Sequence, residues 1–95
     1  MADNSQTFIA GSELSHETCE DVKSHLTALL EVGNPNITVD CQKTDTIDAH
    51  GLAILLMTDR TLRARGGKLS LSNIQPQWEI FFQETGLSKR IQLRS

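Results

Sequence analysis

The sequence predicts an α/β fold built on a small mixed, mainly parallel sheet, and three observations point to it. Short apolar or alternating stretches near Thr7, Ile37 and Lys68 read as strands, and segments with apolar residues every three or four positions lie between them. Gly11, Gly33, Gly66-Gly67 and Gly86 fall at the ends of these segments, where the chain must turn. The resulting order is strand–helix–strand–helix–strand–helix–strand, and right-handed crossovers between parallel strands lay helices on a sheet. Thr38, Asp40, Ser70 and Ser72 occupy the polar positions of their strands, which predicts one open sheet face and helices largely on the other.

Taken in order, Thr7-Phe8-Ile9-Ala10 is a short strand ending at Gly11. Ser15 is a suitable N-cap for a first helix, with Glu17 in its first turn and Leu14 placed to staple onto Cys19. The apolar stripe of that helix is Cys19, Val22, Leu26, Leu29 and Leu30, and Gly33 stops it before an Asn34-Pro35-Asn36 turn. Ile37-Thr38-Val39-Asp40-Cys41 alternates as a strand. Asp48 caps a second helix whose core stripe is Leu52, Leu55, Leu56 and Leu62, and whose end carries Arg63 and Arg65 before Gly66-Gly67. Lys68-Leu69-Ser70-Leu71-Ser72 is the next strand. Pro76 then sits just inside a third helix bearing Trp78, Phe81 and Phe82, closed by Gly86, and Ile91 with Leu93 marks a last short strand.

A chain of 95 residues supports one domain, here residues 1–95 with its core at about 7–93. An apolar fraction of 38% with 22% charged residues belongs to an ordered globular chain. A net charge of −3 argues against general affinity for nucleic acid or anionic membranes. No apolar run approaches the roughly 20 residues that span a bilayer, and the first residues are polar, without the basic and apolar regions of a signal peptide. Cys19 and Cys41 are far apart with no paired spacing, so two free thiols in a reducing cytoplasm are expected.

Ile47-Asp48-Ala49-His50-Gly51-Leu52-Ala53-Ile54-Leu55-Leu56 resembles the STAS domain, the family of bacterial anti-sigma-factor antagonists. Gly11-Ser12-Glu13-Leu14 is similar to the family's G-E-L turn, and Ile37-Thr38-Val39-Asp40 to its central strand. Arg63-Ala64-Arg65-Gly66-Gly67-Lys68-Leu69 is similar to its helix-to-strand turn, and Glu84-Thr85-Gly86-Leu87 to the close of its third helix. Five pieces in the same order carry the resemblance across nearly the whole chain. It implies a STAS-like fold, trimmed at both ends because the family usually has one more strand before Thr7 and often a further helix after Leu93. In phosphorylated antagonists the second helix begins D-S-[ST]-G, and its second hydroxyl takes phosphate from an anti-sigma kinase. Ala49 and His50 stand at those hydroxyl positions here.

The resemblance therefore implies a protein-binding signalling adaptor that docks through the start of the second helix and lacks the usual phosphoacceptor. Its implied partner is an anti-sigma kinase-like ATPase. STAS proteins without the serine also resemble subunits that sit on the ATPase of a lipid-transport ABC complex, and proteins associated with chemotaxis signalling. The lipid-transport type typically keeps Thr where Ala49 stands. A nucleotide or small-anion sensor with its ligand near Asp48 is a further alternative.

The partner-binding candidates are Asp48, Ala49, His50, Gly51, Ala53, Ile54 and Met57. Helical spacing puts His50, Ala53, Ile54 and Met57 on a second stripe beside the core stripe. That stripe is either an exposed docking surface or packed beneath a neighbouring element. His50 is either a partner contact or a solvated helix residue, and it is also a conceivable phosphate acceptor. Thr44 and Thr46 are the nearby hydroxyls open to modification, or they serve local hydrogen bonds. Arg60, Arg63, Arg65 and Lys68 either bind an anion or form a solvated helix end. His16 and His25 lie nine positions apart and share no metal-ligand face. No nucleophile–base spacing is present, so neither enzyme activity nor a metal or organic cofactor is expected.

Overall fold

The structure is a computed structural model that describes residues 5–33 and 35–94. Its elements are β1 (Ser5–Ile9), β2 (Glu13–Leu14), α1 (Cys19–Val32), β3 (Asn36–Asp40), β4 (Thr46–Ile47), α2 (Ala49–Ala64), β5 (Lys68–Ser72), α3 (Pro76–Glu84) and β6 (Gln92–Arg94). A 3₁₀ turn at Leu87–Lys89 joins the last two. Strands β1, β3, β5 and β6 form a four-stranded sheet in that order, and β2 pairs with β4 in a separate small ribbon. Every described ladder is parallel. Of the turn expected at 34–36, Asn34 lies outside the described residues, and Asn36 already belongs to β3.

The register aligns Phe8 with Val39, Ile37 with Leu69, and Val39 with both Phe8 and Leu71. A period of two sends all of these to one face. Ile37, Val39, Leu69 and Leu71 are buried there together with Val22 and Leu26 of α1, Leu55 and Leu62 of α2, and Phe82 of α3. Each fully buried aliphatic or aromatic side chain in such a core contributes about 1.5–3 kcal/mol. The opposite face carries Thr7, Thr38, Ser70 and Gln92 in one row and Ile9, Asp40, Ser72 and Arg94 in the next. Its outer positions are open, with Ile9 64% exposed. Thr38 and Ser70 depart from expectation, because both are buried. They are small residues on the two central strands, shielded on both sides by the neighbouring ladders.

The start of α1 is a second departure. The helix begins at Cys19 with Thr18 at the cap position, so Ser15 is not its N-cap and Glu17 precedes it. The Ser15 hydroxyl donates instead to the Glu13 carboxylate (2.6 Å), and the Ser15 amide donates to Thr18 Oγ1 (3.1 Å). Residues 15–18 become a turn closed by these side chains, and the helix starts beyond it. At the other end Gly33 takes a left-handed conformation (φ 93°), which a side chain would strain. Arg65 reaches across from the end of α2 to donate to Leu30 O (2.8 Å) at the end of α1.

Asp59, on α2, is buried and had no assigned role in the sequence. Its carboxylate accepts from the buried Leu69 amide (3.0 Å) at the start of β5 and from Arg63 Nε (2.8 Å). Arg63 also donates to Arg90 O, which ties α2 to the segment before β6. Arg63 and Arg65 thus both hold parts of the fold together, Arg63 with an ion pair to Asp59 and Arg65 with a single bond from an exposed side chain. Cys41 is fully buried and Cys19 partly so, both unpaired. Burial, and next the nearby Asp40 charge, push the Cys41 thiol up to about 12.

Candidate functional site

Loops that follow β1 and β3 leave the same end of adjacent parallel strands, so they meet above the carboxyl ends of the sheet. Residues 15–18 and the start of α2 converge there. Asp48 caps α2 in an extended conformation, and its Oδ1 accepts from the His50 amide (2.9 Å) and the Gly51 amide (3.0 Å). Its Oδ2 accepts from the His16 amide (2.9 Å), 32 residues away in sequence. One carboxylate thus satisfies two open amides of α2 and holds the turn before α1 beside them. The bond from the His16 amide, followed by that from Gly51, holds the Asp48 carboxyl below its ordinary value, against an opposing effect of desolvation.

Gly51 shows why the start of α2 sits where it does. It is buried, and a Cβ there would lie 2.0 Å from Leu14 O. The absence of a side chain lets α2 rest directly on β2, where Leu14 O also accepts from the Asp48 amide (3.0 Å). Gly51, expected among the partner contacts, is therefore turned inward, and its part in the site is to set the height of the helix.

Ala49, His50 and Ala53 are exposed, Ile54 is half-buried, and Met57 is 62% exposed. The second stripe of α2 is thus an open face, with Ile54 partly packed on the core. His50 lies against His16, with ring centroids 4.7 Å apart and planes inclined by 55°. His50 Nδ1 lies 3.9 Å from Asp48 Oδ2. Two imidazoles and one carboxylate therefore form a compact polar cap at the head of an apolar stripe. Among the described residues no group of three or more His, Cys, Asp or Glu side chains is arranged to hold a metal. No helix among them is long and apolar enough to cross a membrane.

The two threonines separate clearly. Thr44 is fully buried and donates to Gly11 O (2.7 Å), so it is a lock between two loops and not a hydroxyl open to modification. Thr46 is exposed, with its hydroxyl on the Asp45 carboxylate (3.1 Å). Sequence reasoning missed the part of His16, which had been weighed only against His25 on the helix. The available signal was topological, since the segments after β1 and β3 share one end of a parallel sheet. Trp78 was also missed as a support: its indole N–H donates to Asp45 O (3.1 Å) and steadies the loop that leads into α2.

Several solved structures share this architecture. A Thermotoga maritima protein with a proposed anti-sigma factor antagonist role superimposes with a TM-score of 0.88 at 18% identity, covering 100% of this chain and 82% of that one. An anti-sigma factor antagonist from Mycobacterium paratuberculosis gives 0.82 at 20% identity, covering 99% and 80%. The Bacillus cell fate determinant SpoIIAA in its phosphorylated form gives 0.73 at 21% identity, covering 99% and 86%. The family model described as Mlab, STAS domain, matches residues 1–94. With nearly its entire length matched, this chain belongs to the Mlab STAS-domain family.

Proposed function

We propose that the chain is a protein-binding signalling adaptor, similar in mode to an anti-sigma-factor antagonist, that docks through the start of α2 without serine phosphorylation. The observation that carries this reading is the open face of Ala49, His50, Ala53 and Met57, held in place by the Asp48 clasp on His16, His50 and Gly51. A fixed surface with an apolar stripe and a polar head suits recognition by a folded partner. No hydroxyl stands at Ala49 or His50, where the resemblance places the phosphoacceptor. A phosphate on His50 would also lie beside the Asp48 carboxylate, which already complements the N-terminus of α2. The partner this reading favours is an anti-sigma kinase-like ATPase in the bacterial cytoplasm.

The test captures the tagged chain with its partner from its native cells, identifies the partner by mass spectrometry, and then compares affinities in vitro. His50→Asp is expected to weaken binding tenfold or more by placing a charge in the contact, a loss of about 1.4 kcal/mol or greater, with an unchanged circular dichroism spectrum. Unaltered affinity in the variant would remove the start of α2 from the interface. The intact mass of the captured chain reports modification directly, and an added phosphate on Thr46 or His50 would overturn the unphosphorylated reading.

A further inference from the structure

We infer that the cleft between α1 and α2 receives an amphipathic helix of the partner, which inserts one apolar side chain and sets a carboxylate against Lys23. This rests on the reading above that the start of α2 is a docking surface, and it extends that surface along the helix pair.

The two helices follow adjacent parallel strands and run in the same direction. The His16–Asp48 bond joins the segments that lead into the two helices, and the bond from Arg65 to Leu30 O joins their carboxyl ends. Between these ties lies an open cleft of about 150 Å³, with Leu26, Leu30 and Ile54 among its lining residues and Met57 exposed at the surface. His50, Ile54, Met57 and Thr61 follow one another at steps of four and three on α2, so the cleft continues the stripe that His50 heads.

The chemistry of the lining narrows the occupant. Thr27, Thr58 and Thr61 contribute hydroxyls; those of Thr58 and Thr61 donate to the Ile54 (2.8 Å) and Met57 (3.1 Å) carbonyls of their own helix, and Thr27 is exposed. The one charged residue of the lining is Lys23, which has no ion-pair partner among the described residues. Leucine, isoleucine and methionine side chains beside threonine hydroxyls and a single unpaired cation suit an apolar group accompanied by an acid. The volume is below the roughly 300–1,000 Å³ typical of small-molecule sites, and close to the roughly 150 Å³ that holds a benzene-sized group in an apolar cavity. One leucine or phenylalanine side chain matches that space. A peptide bound by strand addition would need a free strand edge, which two packed helices do not offer. An amphipathic helix can present an apolar anchor and an acid on one side at helical spacing.

The experiment pans a phage-displayed library of α-helical peptides on the full 95-residue chain and titrates the enriched peptides into the labelled protein by NMR. Enriched peptides are expected to pair a leucine or phenylalanine with an acidic residue three or four positions away. They are expected to shift the resonances of Leu26, Ile54 and Thr61. Met57→Asp should weaken them tenfold or more, and Lys23→Glu should reverse their preference so that basic counterparts bind better. Enriched peptides that bind Met57→Asp unchanged, or a panning that yields no helical peptide, would overturn the proposal. So would a concentration-dependent dimer that Met57→Asp abolishes, since a second copy would then fill the cleft. The captured partner separates the two readings. If His50→Asp weakens that partner and Lys23→Glu leaves it unchanged, the cleft inference fails and docking at the start of α2 stands. If neither variant changes its affinity, both fail.

Discussion

Gly51→Ala sets two effects of opposite sign against each other, and the structure decides between them. In an open helix the substitution would stabilise, because alanine is favoured over glycine by about 1 kcal/mol in a helix interior. Here the added Cβ would meet Leu14 O at 2.0 Å and Leu14 Cβ at 2.9 Å. Ordinary contact requires the start of α2 to retreat from β2 by roughly 1 Å or more. That movement stretches the 3.0 Å bond from the Asp48 amide to Leu14 O beyond hydrogen-bonding range and pulls Asp48 away from His16. Overpacking of this kind costs about 1–3 kcal/mol, and the lost bond costs about 0.5–1.5 kcal/mol. Subtracting the propensity gain leaves a net destabilisation of about 2 kcal/mol. With a urea dependence of roughly 1 kcal/mol per molar for a chain of this size, the unfolding midpoint should fall by roughly 2 M. Equilibrium urea unfolding followed by circular dichroism makes the measurement, with amide shifts of His16 and His50 as the local readout. A midpoint that rises, with both amides unmoved, would show that α2 does not rest on the Leu14 carbonyl and would refute the reasoning.

Two further outcomes follow from groups that bracket the site. Asp48 is held below its ordinary carboxyl value of 3.8, so its contribution to stability is present above that value and is lost as pH falls through the lowered one. Urea midpoints should therefore drop between pH 5 and pH 2 in the native chain, and Asp48→Asn should lessen that drop. Asp59→Ala leaves the buried Leu69 amide without its acceptor and should cost about 2–3 kcal/mol, whereas Asp59→Asn retains an acceptor oxygen and should cost about half as much. Equal losses in chemical denaturation would show that the charge on Asp59, and not its bond to Leu69, is what β5 depends on.

Much of the fold was legible because local signals agreed with the final packing. Gly33 stops α1 and Asp48 caps α2 as their residue types predict, and Val22, Leu26, Leu55 and Leu62 lie in the core where helical spacing put them. The failures share a cause. Ser15 has the local character of an N-cap, but Glu13 takes its hydroxyl and Asp48 takes the next amide, and the latter contact spans 32 positions. Strands β2 and β4 are two residues each, too short for any periodicity to register. Thr38 and Ser70 alternate as wet positions do, yet burial on a central strand depends on the neighbouring ladders as well as on residue type. At the site, the stripe of α2 was readable from spacing. Gly51 was named among the partner contacts, but its inward role was not readable, because it depends on how closely β2 approaches. The encounter of His16 with His50 required the sheet order.

The clasp formed by Asp48 has a kinetic consequence for whatever binds beside it. Three backbone amides from two segments converge on one carboxylate, so the turn and the helix start already hold their mutual geometry in the free chain. A partner meeting this surface has little loop entropy to remove and no folding step to await. Differences in affinity among partners, or among variants of Ala53 and Met57, should then be written in how long each complex survives, with the rate of encounter nearly constant across the set.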